Sequence, residues 1–489
     1  MQLIIPAGVN ILDFLQSKGV YIPAPCSGAG LCGKCRVRLL AGRLDITPAD
    51  REHLSQGELE QGFRLACKAF TRSPVRIELT EQSGSFLTPD RLDLSLDRSH
   101  AFALACDIGS TTIAMSLTDL DEKRPVRTVT AANTAARFGA DVVSRIASAV
   151  SGKGGQIRQA MQQDLTALLD ELGLGGLNVT KMTIAGNTAM YHMLLGLDCG
   201  GLAAAPFEPL TLGGQTLPLC EVLGAGASDM PVTLIKGISA FVGGDIASGL
   251  LAAEPYDGCT LFLDLGTNGE AALITDDRLL CASAAAGPAL EGGQLSCGMG
   301  GISGAVCRVY DRGVGIGIDT IDNAPPTGLC GSGAIDALYW CLRHGLVDSK
   351  GTFLDSLIDS GFELAPGITL TQQDIREIQL AKAAIRACLD TLVSTAGVRY
   401  EDISSLCIAG GFGHYLDIAS ACGIGLIPKA LVGRARILGN TSLKGAQRSL
   451  YETQLFERAG QLAQKAETLS LHDSEDFKKR FIECISMEE

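Results

Sequence analysis

Cys26, Cys32 and Cys35 lie in the run Pro25-Cys-Ser-Gly-Ala-Gly-Leu-Cys-Gly-Lys-Cys35, a C-x5-C-x2-C spacing, and Cys67 follows in Arg64-Leu-Ala-Cys67. Three thiolates on one loop, with a fourth farther along, can enclose a binuclear iron–sulfur cluster. Gly28, Gly30 and Gly33 let such a loop fold tightly and aim peptide N–H groups at sulfur. A structural zinc ion is the plainer alternative, but it usually takes a second close pair, and Cys67 stands alone. The other cysteines of the 17 are scattered among apolar and small neighbours and read as small buried hydrophobes.

A second set of residues suits phosphate. Asp107-Ile-Gly109-Ser-Thr-Thr112 stands between two apolar runs, as a strand, a turn and a strand. The pattern returns 157 residues on as Asp264-Leu-Gly266-Thr-Asn268-Gly-Glu270. In such turns glycine lets the backbone approach phosphate oxygens, hydroxyls and peptide N–H groups donate to them, and the aspartates can hold Mg²⁺ through water. One Asp-Gly turn would mean little, because hairpins use them freely. A second pair repeats as well: Met182-Thr-Ile-Ala-Gly186 and Leu406-Cys-Ile-Ala-Gly410-Gly-Phe-Gly413, each an apolar strand running into a helix. Two element types repeated in one order imply a duplicated α/β domain. Gly152-Lys-Gly is no Walker loop, so a P-loop enzyme is excluded. Asp141, Asp245 and Glu291 sit in glycine-rich or apolar settings and could position water or metal, with helix caps and surface carboxylates as the plain alternative.

The elements that must carry these residues follow from patterning. Leu3–Ile5, Arg36–Leu39 and Val75–Leu79 read as strands, and Asn10 caps a helix over Ile11–Ser17. Glu81 to His100, with its Ser, Gly and Pro89, reads as a linker. Helices are expected over Gly139–Val150, Phe241–Leu251, Gly331–Cys341, from the cap Thr371 to Ala396, and along Ser442–Ile485 with a break at Tyr451. The division is therefore 1–82 for the cysteine-bearing domain, 83–100 for the linker, and 101–257 and 258–489 for the two halves of the duplicated domain.

Composition bounds what this assembly does. Apolar residues at 46% and charged residues at 19% exclude disorder as the main state. A net charge of −14 argues against sequence-independent nucleic-acid binding. No apolar run reaches membrane-spanning length and the N-terminus lacks a basic n-region, so a soluble cytoplasmic protein with no membrane partner is expected.

Three resemblances extend this reading. The cysteine segment resembles the adrenodoxin-like branch of the plant-type ferredoxins, which implies a β-grasp [2Fe–2S] domain with Cys26, Cys32, Cys35 and Cys67 as ligands. The paired hairpins resemble the acetate and sugar kinase, Hsc70 and actin (ASKHA) superfamily. That resemblance implies an actin-like ATPase whose phosphate motifs are Asp107, Gly109, Ser110, Thr111 and Thr112 in one half and Asp264, Gly266, Thr267 and Asn268 in the other. Gly410, Gly411 and Gly413 match its adenosine motif. The fusion of the two, with the segments Asn133…Gly139-Ala-Asp-Val, Gly186-Asn-Thr-Ala-Met, Gly287-Pro-Ala-Leu-Glu-Gly-Gly and Ala381-Lys-Ala-Ala-Ile, resembles the reductive activators of corrinoid proteins over almost the whole chain.

The last resemblance implies a function. ATP with Mg²⁺ would drive one electron from the [2Fe–2S] cluster to the cob(II)alamin of a corrinoid protein in a methyltransferase system, restoring Co(I). A low-potential electron donor would supply the cluster, and a homodimer is left open. Some members carry a further domain between ferredoxin and ATPase, where this chain has only the short linker. Two alternatives stay open: a 2-hydroxyacyl-CoA dehydratase-type activator, which resembles a [4Fe–4S] dimer without a ferredoxin domain, and a small-molecule kinase or nucleotide-gated module with a structural cluster.

Overall fold

The computed structural model describes residues 2–17, 22, 30, 33, 35–79, 96–313, 315–411 and 415–487. Cys26, Cys32, Gly28, Gly413 and most of the expected linker lie outside them.

The N-terminal part is a four-stranded antiparallel sheet built from β1 Gln2–Ile5, β2 Arg36–Ala41, β3 Phe63–Leu65 and β4 Val75–Leu79, in the order β1-β4-β2-β3. Alternation along these strands sends Ile5, Val37, Leu65 and Ile77 to one face, where they pack with Ile11 and Leu15. Those two come from the helix Ile11–Ser17, where the side chain of Asn10 accepts from the N–H of Asp13 at 3.2 Å. Two short helices, Pro48–His53 and Gln56–Glu60, escape a periodicity reading because neither is long enough to show a period. Their signal is in their capping boxes, Thr47 with Asp50 and Ser55 with Glu58. Buried Asp50 also accepts from the N–H of Leu65 at 2.7 Å, which ties the first of these helices to β3.

The rest is built on two sheets of related topology. The first half contributes β5 Ala101–Ile108, β6 Thr112–Asp119, β7 Arg124–Ala132, β8 Asn178–Gly186, β9 Thr216–Pro218 and β10 Pro231–Leu234. In the second, β11 Thr260–Leu265, β12 Gly269–Ile274 and β13 Leu279–Ala284 come first. A small three-stranded sheet follows (β14 Ala305–Asp311, β15 Ile316–Thr320, β16 Gly328–Leu329), then a hairpin of β17 Phe362–Ala365 and β18 Ile368–Leu370. The chain then returns with β19 Ser405–Ala409, β20 Ala435–Gly439 and β21 Ala466–Thr468.

The orders are β7-β6-β5-β8-β10-β9 and β20-β19-β11-β12-β13-β21. In each sheet an antiparallel triplet of consecutive strands is extended by two parallel strands, β8 and β10 in one and β19 and β20 in the other. The repeated hairpins are β5–β6 and β11–β12, and the repeated Ala-Gly strands are β8 and β19. The duplication read from the sequence is thus a duplication of topology.

Several element boundaries differ from expectation. The helix after Gly139 starts at Val142, capped by Asp141 with Ser144, because a side chain at Gly139 would run into the backbone of Ser144 and Arg145. The helix expected from Phe241 is Gly244–Ala253, since the backbone at Gly243 lies against Asn187 and Thr188. The helix read from Gly331 to Cys341 runs on to Arg343, and Gln372–Ala396 occurs as read, with a Thr371–Asp374 capping box. The C-terminal stretch holds the helices Thr441–Ser449, Gln454–Lys465 and Glu475–Glu483, with β21 between the last two pairing with β13. Leu443, Ala446 and Leu450 of this stretch pack with Ala103, Ala105, Ala185 and Ala247 of the first half, so the chain crosses back to the sheet that opens the duplicated domain.

Candidate functional site

In the N-terminal domain the described thiols of Cys35 and Cys67 come together. Cys35 precedes β2, Cys67 follows β3, and the Cys35 carbonyl accepts from the N–H of Ala66 at 2.8 Å. The Cys67 carbonyl accepts from Asn10 Nδ2 at 3.0 Å, linking the turn to the capped helix. Contact with Cys35 brings the Cys67 thiol down to about 7, against burial and with help from the Lys68 ammonium. Two buried thiols side by side, not joined in a disulfide, are the donor chemistry an iron–sulfur cluster requires. Gly30 and Gly33 both hold positive φ, at 83° and 65°, and a Cβ at Gly33 would stand 2.9 Å from Cβ of His53. Arg36 Nε donates to the Gly33 carbonyl at 3.0 Å and His53 Nε2 lies 3.1 Å from the Gly30 carbonyl, so the glycine-bearing loop is anchored where it is described.

In the duplicated domain the two hairpin tips meet. Gly109-Ser110-Thr111 joins β5 to β6, and Gly266-Thr267-Asn268 joins β11 to β12. The Ser110 and Thr111 hydroxyls stand 3.2 and 3.4 Å from the Thr267 hydroxyl. Thr111 and Thr267 also both donate to Oε2 of Glu291, at 3.1 and 2.6 Å. Gly109 is held in its turn by an N–H···O bond to Thr112 at 3.0 Å, and a Cβ there would sit 2.7 Å from that carbonyl oxygen.

Around these hydroxyls stand Asp107, Asp245, Asp264, Glu270 and Glu291. Each is enclosed by protein yet keeps some accessible surface, as groups on the wall of a cleft do. Burial raises all five. Asp264 is pushed to about 8, with Asp245, Asp107 and Glu291 adding like-charge repulsion. Burial lifts Asp245 and Glu270 too, with further repulsion from Asp107 on the first and from Asp245 and Asp264 on the second. Asp107 is raised less freely, because Ser442 Oγ and Asn440 Nδ2 donate to its two oxygens at 2.7 and 2.8 Å. Among the described residues no basic side chain acts on these carboxylates, and hard oxygens are the donor type a divalent cation takes.

Gly410 ends the strand beside β11 with φ of 97°, and a Cβ there would lie 3.0 Å from Oδ1 of Asp264 and closer still to the Leu265 carbonyl. Only glycine lets that loop approach the carboxylate so closely. Gly411 faces open space. Asp245 and Glu291 therefore stand among the site carboxylates, whereas Asp141 is a helix cap. Asn440 and Ser442 had no motif to announce them. Asn440 caps the helix Thr441–Ser449, its side chain accepting from the N–H of Leu443 at 2.7 Å.

Comparisons with known proteins agree along the whole chain. Residues 2–72 match the family described as a 2Fe-2S iron-sulfur cluster binding domain, 102–257 the RACo middle region, and 258–489 the C-terminal domain of RACo, the ASKHA domain. The corrinoid activation enzyme RamQ of Eubacterium limosum is 32% identical over 381 residues, which cover 71% of this chain and 63% of RamQ. The chain thus spans less than two thirds of that relative. The [Co(II) methylated amine-specific corrinoid protein] reductase of Methanosarcina barkeri is 26% identical over 423 residues, 78% of this chain and 76% of that protein. A solved structure named as a reductive activator for corrinoid,iron-sulfur protein superposes with a TM-score of 0.72 at 27% identity, covering 99% of this chain and 96% of that one.

Proposed function

The chain is a ferredoxin–ASKHA fusion homologous to the RACo-type corrinoid reductive activators, and from this premise we propose that it is an ATP-dependent reductive activase. It would deliver one electron to the cob(II)alamin of a corrinoid partner protein and return it to Co(I) for methyl transfer. The observation that carries the reading is the meeting of both hairpins at Thr111, Thr267 and Glu291, in one chain with a ferredoxin-type domain that brings Cys35 and Cys67 together.

A [2Fe–2S] cluster supplies one-electron storage at low potential, with plant-type centres near about −400 mV. Cys26, Cys32, Cys35 and Cys67 would hold it. Asp107 and Asp264 would hold Mg²⁺ against the phosphates of ATP, with hydroxyls of Ser110, Thr111, Thr112 and Thr267 and the Asn268 amide donating to phosphate oxygens. Gly109 and Gly266 would let the phosphates approach the backbone of the turns, and Gly410, Gly411 and Gly413 would take the adenosine. The phosphates would touch both halves in this arrangement, so that binding and hydrolysis would favour different separations of the halves. That is a two-state element able to bias a bound partner toward a more reducible form. The bias is needed: each 59 mV is about tenfold for one electron, so an uphill gap of ~100 mV costs on the order of fiftyfold in equilibrium.

On this reading the protein works in the cytoplasm, where thiols stay reduced, and a low-potential donor recharges it. The described residues contain no helix long and apolar enough to cross a membrane. The test is anaerobic: pre-reduced protein is mixed with a Co(II) corrinoid protein, and Co(I) is followed optically with ATP present or withheld. Co(I) formation that requires ATP supports the proposal. Phosphate transfer to a small molecule without Co(I) would favour the kinase alternative.

A further inference from the structure

The two hairpins are alike in sequence pattern but not in how they are held. Behind the first, three consecutive carbonyls are occupied. The Gly109 carbonyl accepts from Nδ2 of Asn133 at 2.8 Å, the Ser110 carbonyl from the Arg145 guanidinium at 2.8 Å, and the Thr111 carbonyl from the backbone N–H of Asn133 at 2.8 Å. In a planar trans peptide the N–H points opposite to the carbonyl of the same unit. Pinning these carbonyls therefore turns the N–H groups of Ser110, Thr111 and Thr112 away from Asn133 and Arg145. Those of Ser110 and Thr111 have no protein acceptor among the described residues, and both residues keep exposed surface. The second hairpin has no such support: among the described residues its tip carbonyls accept only from within the turn, Asn268 from Gly266 at 3.0 Å.

The brace is itself a packed unit. Asn133 and Arg145 are both fully buried. Arg145 spans two segments, donating from Nε to the Gly139 carbonyl at 3.1 Å while another of its nitrogens reaches Met190 Sδ at 3.4 Å. Asn133 Nδ2 lies 3.7 Å from the same sulfur. Met190 belongs to the helix Thr188–Leu195, fixed by its cap Asn187. The segments Asn133…Gly139-Ala-Asp and Gly186-Asn-Thr-Ala-Met thus meet behind one turn, and the buried guanidinium sets a positive charge against it.

We propose that Asn133 and Arg145 are positioning residues for ATP, holding the peptide N–H groups of Ser110 and Thr111 in the orientation that donates to its terminal phosphates. This rests on the reading that the paired hairpins bind ATP. Consecutive N–H groups aimed one way form an anion-binding nest, and its geometry is set before the ligand arrives.

The test compares MgATP with AMP on the full-length, cluster-loaded protein by calorimetry. Asn133→Asp keeps the oxygen that accepts from the N–H of Ala135 and removes the donor to Gly109. Arg145→Lys keeps the charge but cannot bridge Gly139 and Ser110 as a fork does. Each variant is expected to lose roughly tenfold or more in MgATP affinity, the worth of one charge-assisted hydrogen bond, with AMP affinity within about twofold of wild type. Unchanged MgATP affinity, or equal losses for MgATP and AMP, would overturn the proposal. Should either variant fail to fold, hydrogen exchange on the wild type decides: the amides of Ser110 and Thr111 should become protected by MgATP and not by AMP, and lack of protection overturns the assignment. Wild-type protein that binds no MgATP defeats the nucleotide reading itself, a separate result.

Discussion

At the residue scale, identical side chains act differently according to what surrounds them. Cys67 is drawn toward thiolate by Cys35 and Lys68, whereas Cys106, fully buried in β5, is pushed far the other way by burial with Asp107 adding to it. Cys67→Ser should strip or weaken the [2Fe–2S] absorption of the purified protein, and Cys106→Ser should leave it intact; an unchanged spectrum in Cys67→Ser would remove that residue from the ligand set. Asp107 depends on two donors from across the molecule. Removing one in Ser442→Ala should cost about 1 kcal/mol of MgATP binding, roughly fivefold in Kd, measured by titration, with equal affinity arguing against the role of the clasp. Among the described residues Asp264 has no such clasp, and Asp264→Ala should abolish ATP-dependent Co(I) formation while the cluster still accepts electrons from dithionite. Full-rate activation by that variant would mean the nucleotide halves do not drive the reaction.

At the scale of elements, the β5–β6 hairpin carries chemistry at one end and a charge pair at the other. His100 Nδ1 lies 2.7 Å from Asp119 Oδ2, where the linker enters β5, and this contact is the main reason the His100 pKa is raised above its ordinary value. A histidine whose folded pKa exceeds its unfolded value near about 6.5 adds stability that is fully present below that value and lost as pH rises through the folded one. The melting-temperature difference between wild type and His100→Gln should therefore be largest near about pH 6 and close by about pH 9. A difference independent of pH would mean the pair is not titrating. The opposite end shows why the helix Thr441–Ser449 matters. Its cap and first turn supply Asn440 and Ser442, while its apolar side packs on the alanine-lined first sheet, so a segment from the end of the chain completes a site opened at Asp107.

For the whole molecule, the buried clusters separate cleanly. Among the described residues, one is drawn only from the part of the chain before the linker and the others only from residues beyond it. Each side then has the means to fold without the other. A protein comprising 96–489 is expected to bind MgATP with affinity close to that of the full chain, since both hairpins, the brace and Gly410 lie within it. Calorimetry showing no binding to that fragment, with a normal circular dichroism spectrum, would mean the ferredoxin domain completes the nucleotide site.

The cysteine pair Cys35 and Cys67, the two Asp-x-Gly hairpins, the Ala-Gly strands and the duplication were all legible in the sequence. Each is a local signal: a spacing, a turn composition or a repeat that backbone geometry must honour wherever it lies in the fold. The short capped helices between Pro48 and Glu60 were not, because five or six residues show no period. Nor was the partnership of Asp107 with Asn440 and Ser442, more than 330 residues away, or the bracing of one hairpin by Asn133 and Arg145 and not the other. Those depend on which surfaces meet once two similar sheets have packed and the chain has crossed back between them. Repeats in sequence make the halves alike, and only tertiary packing, which places different neighbours behind each turn, makes them unequal.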